Sequence, residues 1–110
     1  MTNKSQTLDA AYREILEELM QMFLKKHKDY GKGNILANKE LGIAMRVSEK
    51  VERLKHLLIQ GKIPSNESID DTWTDIAVYA VIARLLRNGS FEKLNVNPQL
   101  LEDVVRAGHQ

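Results

Sequence analysis

The chain is dominated by apolar residues that recur every three or four positions, which is the period of an amphipathic helix. In the first segment this stripe consists of Leu8, Tyr12, Ile15, Leu19, Met22 and Phe23. Thr7 stands where a helix N-cap is expected, and Gly31 stands where a helix C-cap is expected. The pattern therefore predicts a first helix between Thr7 and Gly31, with its apolar stripe facing the core.

Two further long helices are predicted from the same period. The second runs from about Glu40 to Gln60 and is ended by Gly61 and Pro64. Its apolar stripe consists of Ala44, Val47, Val51, Leu54 and Leu58. The third opens with a capping box at Ser68 and Asp71 and runs to Asn88 and Gly89.

The remaining pattern sets the fold class. A short fourth helix is predicted to open with Asn97 as its cap and Pro98 at its first position. No segment shows the alternation of apolar and polar residues that is typical of a strand. We therefore predict a single all-α domain over residues 1–110, an antiparallel bundle of three long helices with a short C-terminal helix.

The third helix is apolar on every side after Asp75. A helix of this kind is normally buried, either at the centre of a domain or at a subunit interface. One bundle of three long helices cannot readily surround it, so we expect a homo-oligomer, either a homodimer or a dimer of dimers.

Composition narrows the class of protein. The 110 residues contain no cysteine, which excludes disulfides and thiolate metal sites and fits a reducing compartment. The first residues are polar and do not resemble a secretory signal, and no apolar run approaches the roughly 20 residues of a membrane span. We expect a cytoplasmic protein that does not contact a membrane.

Charge is unevenly distributed, although the net charge is only +1. Residues 25–62 contain ten Lys or Arg against four Asp or Glu. This basic block includes the stretch KHKDYGKGN, residues 26–34, which we interpret as the end of a helix followed by a loop punctuated by Gly31 and Gly33. The block favours an anionic ligand, and an ordinary solvated surface is the alternative on charge alone.

Two pairs of carboxylates are candidates for chemistry. Asp71 and Asp75 lie in line with apolar positions of the third helix, so burial requires a cation to meet them. Glu49 and Glu52 are three residues apart and can share a flank of the second helix. Together the four carboxylates could form an oxygen cage for Mg²⁺ or Mn²⁺. The alternatives are a structural ion pair for Asp75 and a solvent face of ion pairs for the second helix.

The joint order of three motifs carries a family resemblance. KHKDYGKGN is followed by RVSEKVERL and then by SIDDTWTDIAVYA. Over residues 25–88 this order resembles the small phage and bacterial nucleotide-modification-associated domain, which is similar to the MazG-like all-α nucleoside triphosphate pyrophosphatases. Those enzymes bind magnesium through an ExxE motif on one helix and an ExxD motif on the next, and they cleave between the α- and β-phosphates.

The resemblance implies roles for particular residues. Glu49, Glu52, Asp71 and Asp75 would bind the metal, and Glu52 could also act as the catalytic base. The nucleotide would be bound by Lys28, Tyr30, Asn34, Arg46, Lys50 and Arg53. Two positions depart from the pattern: Thr72 stands where the second motif has a glutamate, and Ser48 stands where MazG proteins often have another acid.

Two functions follow from the resemblance. The first is a magnesium-dependent (deoxy)nucleoside triphosphate pyrophosphohydrolase. The alternative is a non-catalytic nucleotide-binding or nucleotide-sequestering protein of phage type, which Thr72 at an acidic position favours. Nucleic-acid binding through the basic block is the weakest hypothesis, because the net charge is small and only six residues are aromatic.

Overall fold

A computed structural model of the chain describes residues 6–61 and 69–108. Within these ranges the helices are α1 (Leu8–Tyr30), α2 (Gly33–Gln60), α3 (Ile69–Arg87), α4 (Ser90–Lys93) and α5 (Pro98–Gly108). No strand occurs in the described residues, so the predicted all-α class is confirmed. None of these helices is long and apolar enough to cross a membrane.

Two helices begin at the predicted N-caps. The backbone N–H of Ala10 donates to Thr7 Oγ1 at 3.3 Å at the start of α1. The backbone N–H of Gln99 donates to Asn97 Oδ1 at 2.9 Å, and Pro98 is the first residue of α5. Each cap satisfies an N–H that has no partner inside its own helix, and both predictions are confirmed.

Glycines end the three long helices. Gly31, Gly61 and Gly89 follow α1, α2 and α3 with φ angles of 65°, 69° and 82°. Glycine adopts this left-handed conformation at little steric cost. The helix ends predicted at these glycines are confirmed. The predicted roles of Pro64 and Ser68 lie outside the described residues.

The stretch from residue 26 to residue 34 contains the end of α1, as predicted, and a connection of only two residues. α1 continues to Tyr30 and α2 begins at Gly33, so only Gly31 and Lys32 separate the two helices. The predicted helix end is confirmed, but the predicted loop is shorter than expected, because the left-handed turn at Gly31 needs a single glycine. Lys32 stabilises this turn, since its Nζ donates to the carbonyl oxygens of Glu92 and Leu94 near the end of α4.

A kink divides α2 close to the predicted start of the second helix. Lys39 has φ 53° and ψ −145°, which is not a helical conformation and is strained for a residue with a Cβ. The regular part of the helix follows from Glu40, as predicted, and residues 33–38 form a short additional segment. Gly42 accommodates the kink, because a Cβ added there would lie 2.4 Å from the Cβ of Asn38.

The chain forms two compact units. The first contains α1 as far as Asp29 together with α5. In this unit Leu24 is buried, whereas Leu8, Tyr12 and Ile15 are exposed. The prediction that the whole apolar stripe of α1 faces the core was therefore wrong for its N-terminal half. Periodicity identifies an apolar face but does not identify what covers it.

The second unit contains α2, α3 and α4. Its buried side chains are Ile43 and Leu54 of α2, Thr72, Val78 and Ile82 of α3, and Phe91 of α4. Of the stripe predicted for the second helix, Leu54 is buried but Val51 and Leu58 are exposed. α3 is not buried on every side in the single chain, because the apolar side chains of Trp73 and Val81 are each about half exposed. The α4 helix was not predicted at all.

Candidate functional site

Polar contacts join α2 to α3. They include Arg46 with Tyr79, Lys50 with Asp75, and Glu40 with Arg87. The residue number on α3 falls as the number on α2 rises, so the two helices run antiparallel, as predicted for this pair. The same register places Asp71 one helical turn beyond Asp75, at the level of the later turns of α2.

Lys50 and Asp75 form a largely buried ion pair between α2 and α3. Lys50 Nζ lies 3.0 Å from Asp75 Oδ2, and the two side chains are 25% and 16% exposed. A carboxylate in line with an apolar stripe was expected to need a cation, and Lys50 supplies it. The pair joins one residue predicted to bind nucleotide to one predicted to bind metal.

Arg46 contacts Tyr79 one turn before this ion pair. Arg46 Nη1 donates to Tyr79 Oη at 3.4 Å, and the guanidinium carbon lies 5.9 Å from the ring centroid. This geometry combines a hydrogen bond with a cation–π contact. Tyr79 was not among the candidate site residues identified from the sequence. Its position four residues after Asp75, on the same helix face, was the signal that could have identified it.

No three of the carboxylates predicted to bind metal lie together in the part of the chain that the structure describes. Asp75 contacts Lys50, and Glu52 lies 3.1 Å from Lys55 Nζ with a side chain that is 69% exposed. Glu49 and Asp71 are exposed. No three Asp, Glu or His side chains within residues 6–61 and 69–104 are placed to hold one metal ion. These residues do not fit a four-carboxylate cage as they stand, and magnesium binding stays a prediction.

Thr72 is completely buried, at 0% exposure. It stands where the resembled motif has a glutamate, so in this chain that position belongs to the core of the second unit. A carboxylate would be costly there without a cation beside it. This burial gives a physical reason for the departure from the motif.

Three cations of α2 share one flank. Arg46, Lys50 and Arg53 follow one another at steps of four and three residues, which brings them into line on a helix. They span about 10 Å along the axis at 1.5 Å per residue. Arg46 and Lys50 are partly buried and Arg53 is exposed. This row, which we call the cationic flank, lies beside the face that contacts α3.

The other residues predicted to bind nucleotide are Lys28, Tyr30 and Asn34. Tyr30 is the last residue of α1 and is 69% exposed. Asn34 lies in the first turn of α2 and shares a cleft of about 10 Å³ with Arg46, which has room for about one water molecule. Lys28 is exposed and belongs to the first unit.

A larger cleft was not predicted from the sequence. It has a volume of about 170 Å³ and is lined by Leu36, Lys39, Glu40, Leu86, Arg87 and Glu92. Arg87 Nη1 donates to both carboxylate oxygens of Glu40, at 2.8 and 3.0 Å, across this cleft. Two cations and two anions line it, so it presents no clear preference for a charged ligand, and its volume is below the usual range for a small-molecule pocket.

Comparisons with family models, with curated proteins and with solved structures found no match. The case for a function therefore depends on this chain's own residues. Among them, the cationic flank and the adjoining Lys50–Asp75 pair combine a row of positive charge with a carboxylate that is held close to it. A row of this length and charge is suited to a chain of phosphates.

Proposed function

We propose that this chain binds a nucleotide through its phosphates along the cationic flank formed by Arg46, Lys50 and Arg53. Three observations support the proposal. The flank is about as long as a triphosphate, its two partly buried members are shielded from solvent better than surface lysines are, and guanidinium groups bind phosphate oxygens in a bidentate manner. Lys50 exchanges Asp75 for a phosphate when the nucleotide binds.

Two activities are compatible with this binding mode. The first, a magnesium-dependent (deoxy)nucleoside triphosphate pyrophosphohydrolase of MazG-like type, is what the family resemblance implies. Once Lys50 contacts phosphate, Asp75 no longer pairs with Lys50, and Asp71, Glu49 and Glu52 lie on the same two helices. A bound magnesium ion would neutralise phosphate charge, and Glu52 is the proposed base.

The second activity is sequestration of an intact nucleotide without hydrolysis. The Lys50–Asp75 contact at 3.0 Å favours it, because this aspartate is already neutralised by a lysine. The complete burial of Thr72 favours it as well, since an acidic ligand is missing from the position where the resembled enzymes have one. Either activity is proposed for a cytoplasmic homo-oligomer acting on a small nucleotide.

Product chromatography separates the two activities. The chain is incubated with a panel of ribo- and deoxyribonucleoside triphosphates in magnesium, in manganese and in chelator. The hydrolase produces the nucleoside monophosphate and pyrophosphate in metal and nothing in chelator. The sequestering protein returns the nucleotide intact in all three conditions while a thermal-shift assay still detects binding. If no nucleotide of the panel shifts the melting temperature, both activities are excluded.

A further inference from the structure

The N-terminal half of α1 carries an apolar seam whose side chains are exposed. Leu8, Tyr12 and Ile15 are 86%, 66% and 55% exposed. The seam continues through Leu19 and Met22, which are half-buried. The steps between these five residues are four, three, four and three, which is the spacing of the contact positions in a coiled coil.

The partner helix within the same unit is too short to cover this seam. α1 has 23 residues and α5 has 11. At 1.5 Å per residue their lengths are about 34 Å and about 16 Å. Large apolar side chains exposed in a row along a helix mark an interaction surface more often than a solvent face.

The charges of α1 indicate which partner fits. Its first half contains the acids Asp9, Glu14, Glu17 and Glu18 with one base, Arg13. Its second half contains the bases Lys25, Lys26 and Lys28 with one acid, Asp29. The helix is therefore acidic along the exposed part of the seam and basic towards its other end.

We infer that the partner is a second copy of this chain, with the two α1 helices packed antiparallel over their full length, so that the exposed seam residues of each helix lie against the second half of the other. An antiparallel pair sets the acidic half of each helix against the basic half of the other, whereas a parallel pair sets like charges together. The contact is self-complementary, as a two-fold dimer requires, and each copy uses the same residues. This interface concerns the first unit and does not rest on the proposed nucleotide site.

The test begins with the mass of the chain in sedimentation over a wide range of dilution. The wild-type chain should sediment as a dimer that dissociates on dilution. Ile15→Glu, which places a charge in the seam, should weaken the dimer at least tenfold. The matched control is Gln21→Glu, which adds the same charge on the polar side of α1 and should leave the dimer intact. Ile15 is half exposed, so the variant should keep the helical content of the wild type, as circular dichroism can check.

Disulfide trapping tests the orientation, because the chain has no cysteine of its own. In an antiparallel pair the middle of each helix meets the middle of the other, so Leu19→Cys should form a disulfide-linked dimer under mild oxidation. Leu8→Cys should not, since the two N-termini lie at opposite ends. A monomer at every concentration, or a dimer that Ile15→Glu does not weaken, would overturn the interface. Efficient cross-linking of Leu8→Cys to itself would overturn the antiparallel arrangement.

Discussion

Replacing Thr72 with glutamate should destabilise the chain by about 3–5 kcal/mol, the usual cost of leaving a charge buried without a partner. Thr72 has 0% exposure in the core between α2 and α3, so the carboxylate would lose its water. For a domain of this size the loss corresponds to a drop of well over 10 °C in melting temperature, or to an unfolded chain. Urea unfolding followed by circular dichroism measures it.

Two matched variants serve as controls for this result. Thr72→Val keeps the shape and removes the hydroxyl, so it should lose only about 1–2 kcal/mol. Asp70→Glu lengthens an exposed acid two residues earlier, in the first turn of α3, and should change stability by less than about 0.5 kcal/mol. If Thr72→Glu is as stable as the wild type, position 72 does not lie in the core. The departure from the ExxD motif would then have no structural cause.

Replacing Asp75 with asparagine should destabilise the metal-free chain by about 1–3 kcal/mol, the range for hydrogen bonds to charged groups. The reason is that Lys50 would keep its charge at 25% exposure without its carboxylate at 3.0 Å. The double variant Lys50→Met with Asp75→Asn removes both charges and should recover part of the loss. The melting temperatures of the wild type, the two single variants and the double variant in chelator measure the coupling.

Asp70→Asn is the control for this series, because it removes the same charge from an exposed position in the first turn of the same helix. Its free energy of unfolding should fall by no more than about 1 kcal/mol, because the variant loses a favourable interaction with the helix dipole. If the melting temperature of Asp75→Asn in chelator equals or exceeds that of the wild type, the Lys50–Asp75 ion pair does not stabilise the chain. Loss of a magnesium-induced stabilisation in that same variant would then identify Asp75 as a metal ligand.

Features decided by neighbouring residues in the chain could be predicted. The caps at Thr7 and Asn97 and the glycine ends at Gly31 and Gly61 each depend on one or two residues, so a short stretch of sequence specifies them. The all-α class follows from a period that persists over three long helices. The α4 helix was missed because four residues are too few to show a helical period.

Features decided by packing could not be predicted in the same way. The period of α1 identifies an apolar face but cannot say that Leu8 and Tyr12 stay exposed. Burial of Asp75 implied a cation, but several basic residues of the second helix could have met it, and only the antiparallel register selects Lys50. In the sequence, Thr72 stands in place of a metal-binding glutamate of the resembled motif. In the structure, it is a buried residue of the core.

The central claim is that nucleotide phosphates bind along the cationic flank, and calorimetric titration tests it most directly. A nucleoside triphosphate selected from the panel is titrated into the wild type, into Arg53→Gln and into Arg84→Gln, with the matching nucleoside as a ligand control. Arg53 and Arg84 are both exposed, so neither change should disturb the core.

We expect the triphosphate to bind the wild type and the nucleoside to bind at least tenfold more weakly. Arg53→Gln should lower the affinity for the triphosphate by about tenfold or more, equivalent to about 1.4 kcal/mol, because it removes one charged phosphate contact. Arg84→Gln lies outside the flank and should bind like the wild type. Equal affinity for nucleoside and triphosphate, or an Arg53→Gln variant that binds as tightly as the wild type, would contradict the proposal.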